Sequence, residues 1–163
     1  MIETTTQLPT LKMVSIFLGL TVLVVALMAG FSYFWPDVEI PNSVGAVTTV
    51  VVSMQAGMFA ARHTKRLLTS REKLVFAAWS TATSFLAVVG FYWGLFAYYG
   101  VPFTMMTFST ALLGDLPSAA VLKALPWIFL FGGAVSLLVI YFGVGLGAKT
   151  HLKALERKAA KAK

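Results

Sequence analysis

Four stretches of this chain, at about 13–34, 43–61, 74–99 and 126–148, contain no Asp, Glu, Lys, Arg or His. Each is long enough for the roughly 20 residues that cross a hydrocarbon core. Where the charges fall between them predicts an orientation. Of the 13 Lys and Arg residues, Lys12 precedes the first stretch. Arg62, Lys65, Arg66, Arg71 and Lys73 join the second to the third, and Lys149, Lys153, Arg157, Lys158, Lys161 and Lys163 follow the fourth. The other two connections carry Asp37, Glu39 and Asp115 against Lys123 alone, so one side sums to minus two and the other to plus nine, which together give the net +7. Basic loops stay cytoplasmic. The sequence therefore predicts an all-α integral membrane bundle of four transmembrane helices, with both termini inside, in one domain over 1–163 that ends in a basic cytoplasmic tail, 149–163.

The basic excess also suits DNA, RNA or anionic lipid. No recognition motif supports nucleic acid, and Phe59 is the one aromatic residue near the basic loop, so membrane lipids are the expected partner. The first apolar run ends in Phe31, Tyr33, Phe34 and Trp35 instead of small residues, which predicts that it is retained and not cleaved as a signal peptide. With no cysteine, thiolate zinc sites, iron–sulfur clusters, thioether haem and disulfide exchange are excluded.

The connections are short except one. Pro36 to Asn42 reads as a tight hairpin, with Asn42 or Ser43 as N-cap of the second helix. Thr69 and Glu72 have capping-box spacing for the third. Gly100 to Leu125 is long yet apolar, with Phe103, Met105, Met106, Phe108, Leu112 and Leu113. It is expected to lie at the membrane interface or to fold back onto the bundle; binding a partner or covering a pore mouth remain open for it. Ser118 to Leu125 reads as a short helix after Pro117, before Pro126 starts the last span. Aromatic residues gather at the ends of the spans facing this segment, among them Tyr92, Trp93, Tyr98, Tyr99 and Trp127, as an interfacial belt does. The same rings would suit a bound lipid or other lipophilic molecule; no cofactor is otherwise expected.

The sharpest packing signal is a stripe at every fourth residue of the second helix: Gly45, Thr49, Ser53, Gly57 and Ala61. Small side chains at that spacing let backbones approach closely. Gly90 and Gly94, Ala26 and Gly30, and Gly132 with Ser136 offer matching surfaces on the other helices. Gln55 is the one amide in any span, and unsatisfied in hydrocarbon it would cost several kcal/mol. Thr48 on its own helix, or Ser80, Thr81, Thr83 and Ser84 on the third, are candidate partners.

Ion-coupled transport ordinarily uses an intramembrane carboxylate or His, and these spans have none. General acid–base catalysis needs titrating groups within reach of one another, whereas His63 and His151 have one acidic neighbour each, Glu72 and Glu156. Gly143, Gly145 and Gly147 end a span and make no phosphate loop. No catalytic or metal site is expected, and the chain reads as a non-enzyme. Assembly with copies of itself, or as an accessory subunit of a larger membrane complex, is the leading expectation. A pore for a neutral or weakly polar solute, lined by Thr48, Thr49, Gln55 and the third helix's hydroxyls, is the alternative; an immunity or interaction protein presenting its outer loops is a second.

The series Phe59, Arg66, Thr69 and Glu72 between two apolar spans, with the ending Gly143 to Gly147, resembles an uncharacterised family of small four-helix inner-membrane proteins of proteobacteria. That resemblance implies the four-helix topology and a bacterial inner membrane. It carries no activity, substrate or catalytic residue.

Overall fold

The computed structural model describes residues 8–35, 37–38, 43–113 and 118–161, all helical apart from short connections. Five helices follow one another: α1 (Thr10–Phe34), α2 (Ser43–Thr64), α3 (Ser70–Tyr98), α4 (Met105–Leu113) and α5 (Ser118–Lys161). Four of them, α1, α2, α3 and α5, are long and apolar enough to cross a membrane. Of the hairpin expected at 36–42 only Asp37 and Val38 are described, and the cap at Asn42 lies outside the described residues.

Local chemistry sets both ends of α3 and the start of α4. Thr69 and Glu72 form a reciprocal capping box at the start of α3, with Glu72 N–H donating to Thr69 Oγ1 at 3.3 Å and Thr69 N–H donating to Glu72 Oε2 at 2.9 Å. Helix α4 starts in the same way with Thr replacing Glu: Thr107 N–H donates to Thr104 Oγ1 (3.1 Å) and Thr104 N–H to Thr107 Oγ1 (2.9 Å). Helix α3 ends at Gly100, whose φ of 65° admits glycine without strain. Val101 N–H then bonds Phe96 O at 2.9 Å and Gly100 N–H bonds Ala97 O at 3.3 Å, which satisfies two of the last carbonyls.

One expectation for α5 is corrected. Pro126 does not open the last span; it lies inside a 44-residue helix that begins at Ser118. A proline there loses one backbone hydrogen bond, but an unwound segment in apolar surroundings would strand several polar groups, so the helix carries on through it. The basic tail is likewise helical as far as Lys161.

Packing divides the described chain into two compact units. The first comprises residues up to Ser80 together with Leu137 onward; the second runs from Thr81 to Ser136. In the first, Met13, Val14 and Phe17 of α1, Val52, Ala56, Ala60 and Ala61 of α2, Leu68, Phe76 and Ala77 around the start of α3, and Ile140, Val144 and Ala148 of α5 form a buried cluster. Phe17 meets Phe76 edge-on at 6.0 Å. The second unit is held by aromatic rings. Phe108 of α4 is 4% exposed and lies against Tyr92, Phe103 and Phe129, and Phe129 reaches Phe85. Segment 100–113 is thus folded onto its unit through Phe108 and Ser109, while Met105 and Met106 remain exposed on its other face.

Candidate functional site

Helix α2 presents two faces of opposite character within the first unit. One is buried and nearly devoid of side chains. Ser53, Gly57 and Ala61 are all buried, and Ala56 and Ala60 widen the strip. Facing them is α5: a Cβ placed on Gly57 would run into the Val144 carbonyl, one on Gly147 into the Met54 carbonyl, and one on Gly143 would lie 2.7 Å from Ser53 Cβ. Backbone lies on backbone along this seam. Absence of side chains at Gly57, Gly143 and Gly147 is what allows it.

Of the predicted small-residue stripe, the structure brings Ser53, Gly57 and Ala61 into the seam. Gly45 is exposed and a Cβ added to it would meet nothing within 4 Å, and Thr49 is half-buried. Gly90 and Gly94 on α3 are exposed with nothing near them, as is Gly132 on α5. The partner surface is instead Gly143 and Gly147, which sequence reasoning passed over as the end of a span. Their spacing of four, the same as that of Gly90 and Gly94, is the signal that could have found them.

Thr49 and Ser53 of α2 bond to their own helix's backbone. Ser53 Oγ donates to Thr49 O at 2.6 Å and Thr49 Oγ1 to Gly45 O at 3.0 Å. Thr21 of α1 does the same with Phe17 O at 2.8 Å. This back-bonding satisfies a polar group without a second helix. Thr48 is half-buried, Ser80 is buried and Ser84 is half-buried.

No family model matches this chain, and no curated protein or solved structure is similar to it.

The second face of α2 carries the amide. Val47, Val51 and Gln55, at spacings of four, are exposed, and Gln55 lies at the middle of the apolar span Val44–Thr64. Beside this row a groove of about 270 Å³ opens between α1 and α2, lined by Val24, Val44, Val47, Thr48, Val51 and Val52. Gln55 is therefore on the surface of its unit, where the sequence reading sought hydroxyl partners for it.

At the charged end of the same unit, Glu72 accepts two hydrogen bonds from Arg66, Nη2 to Oε1 at 2.6 Å and Nη1 to Oε2 at 2.9 Å, besides its capping bonds. Glu72 precedes the uncharged stretch that begins at Leu74. The guanidinium, and then the Thr69 bonds, hold its carboxyl down at about 2. A carboxylate engaged this way fixes the connection between α2 and α3 and is poorly suited to moving protons. Among the described residues no three His, Asp or Glu side chains gather as metal ligands would.

Proposed function

We propose that this protein is a non-enzymatic integral membrane protein of a bacterial inner membrane, with both termini cytoplasmic, that works by assembling through α2 with a copy of itself or as a subunit of a larger membrane complex. The observation that carries the reading is Gln55. In the middle of a span, an exposed amide faces hydrocarbon unless another helix covers it, and an amide without a partner there costs several kcal/mol. A neighbouring transmembrane helix supplying a hydrogen bond recovers about 0.6–2 kcal/mol. The exposed row Val47, Val51 and Gln55, with the adjoining groove, gives such a helix a surface to lie against. An amide both donates and accepts, so two copies can satisfy each other.

The same geometry weighs against a pore inside one chain. Thr49 and Ser53 use their hydroxyls on their own backbone, and Gln55 sits on the surface of its unit. The test is the mass of the protein solubilised in mild detergent. A complex is expected for the wild type, and Gln55→Leu is expected to weaken it by about 0.6–2 kcal/mol, or roughly threefold to thirtyfold in dissociation constant. A strict monomer without a co-purifying protein would rule out assembly.

A further inference from the structure

At the far end of the first unit from the exposed Val47 row, a second pocket, of about 350 Å³, is lined by Leu67 and Leu68 of the connection, Lys73 of α3, and Tyr141, Phe142, Gly145, Leu146, Ala148 and Lys149 of α5. Its volume falls in the range of roughly 300–1,000 Å³ typical of small-molecule sites. Two features define its chemistry. First, it holds two ammonium groups and no carboxylate. Lys73 Nζ lies 4.7 Å from the centre of the Tyr141 ring, and its side chain passes over Gly145, where an added Cβ would sit 3.4 Å from Lys73 Cδ. The carboxylate nearest in sequence, Glu72, is already engaged by Arg66. Among the described residues no carboxylate pairs with either lysine, so the two are complementary to an anion.

Second, the remaining wall is apolar and continues along the helix. Leu138, Phe142 and Leu146 are exposed at successive spacings of four, and Lys149 follows three residues later. Lys73 and Lys149 are the first charges beyond the uncharged stretches 74–99 and 126–148, the depth at which lipid phosphates lie in a bilayer. A soluble anion would use the lysines but not the apolar track below them.

We propose that Lys73 and Lys149 bind the phosphate of an anionic glycerophospholipid from the cytoplasmic leaflet, one of whose acyl chains lies along Leu146, Phe142 and Leu138. Gly145 leaves the space across which Lys73 reaches the site. The proposal rests on the membrane reading above and is independent of assembly through Gln55.

The test reconstitutes the full chain in nanodiscs of phosphatidylcholine containing phosphatidylglycerol and measures retained lipid by native mass spectrometry after release into detergent. Wild-type protein is expected to retain phosphatidylglycerol over phosphatidylcholine. Lys149→Gln alone, at an exposed position that leaves the fold intact, is expected to lose about fivefold of that preference, and Lys73→Gln/Lys149→Gln roughly twentyfold. Lys153→Gln/Lys158→Gln should leave it unchanged. An equal loss from the 153/158 variant would reduce the effect to general charge attraction and overturn the site. Displacement of the lipid by inorganic phosphate alone would also overturn it, since the ligand would then be a free anion. Protein that enters nanodiscs normally but shows no preference refutes this inference alone, whereas protein that fails to enter any bilayer refutes the membrane reading.

Discussion

A methyl group at Gly57 has nowhere to go: the nearest atoms are the main-chain carbonyl of Val144, which cannot swing aside as the end of a side chain can. Gly147 stands in the same relation to Met54. Overpacking of this kind costs about 1–3 kcal/mol, and along a rigid helix pair the upper part of that range applies. Gly57→Ala and Gly147→Ala are therefore expected to lower the thermal unfolding temperature in detergent clearly. Gly94→Ala, in open space, should leave it unchanged or raise it, because alanine favours helix by up to about 1 kcal/mol over glycine. Equal effects at Gly57 and Gly94 would mean that the α2–α5 seam is not closed. The small-residue stripe through Gly57 is legible in the sequence, but several glycine pairs there look alike, and which pair meets depends on the two surfaces together.

At the scale of the element, the connection from α2 to α3 is the most tightly determined. Helix α2 ends with Lys65 at φ 54°, its N–H bonded to Ala61 O at 2.9 Å, and the chain then passes through Arg66 to the capping box. The Thr69–Glu72 half of this arrangement is legible from sequence, since a cap depends on residues three apart. Arg66 is not, because its reach to Glu72 depends on the turn the backbone takes between them. Glu72→Ala removes both and is expected to cost about 1–2 kcal/mol, the sum of a cap and an exposed ion pair. Acid should act similarly. Glu72 has its folded value lowered to about 2 against 4.5 for the free group, so its contribution is present above about 4.5 and is lost as the pH falls towards about 2. Thermal unfolding across that window should lose less in Glu72→Gln than in the wild type; identical slopes would remove Glu72 as a source of acid sensitivity.

For the whole molecule, the arrangement of charge makes the decisive forecast. Reporter fusions at the two termini are expected to read as cytoplasmic, and one inserted near Val101 as external, because twelve of the thirteen basic residues lie in the segments assigned to the inside. Termini on opposite faces would contradict the proposed topology and, with it, the leaflet assigned to the lipid site. Substitutions in the aromatic cluster around Phe108 should affect the second unit's packing without touching the α2–α5 seam, since the two clusters belong to different units.

The sequence by itself determined the number of long apolar helices, the absence of ionisable groups from the four apolar stretches, and the cap at Thr69 and Glu72. Hydropathy and local capping are properties of short windows, so they need no knowledge of the partner. Only the tertiary structure decided that Gly143 and Gly147 receive α2, that Gln55 is exposed while Ser53 is buried, and that Lys73 and Lys149 share a pocket. Those are pairwise outcomes: each depends on how two helices rotate about their axes to bring backbones close, and small residues repeated along every span leave that rotation undecided until the helices meet.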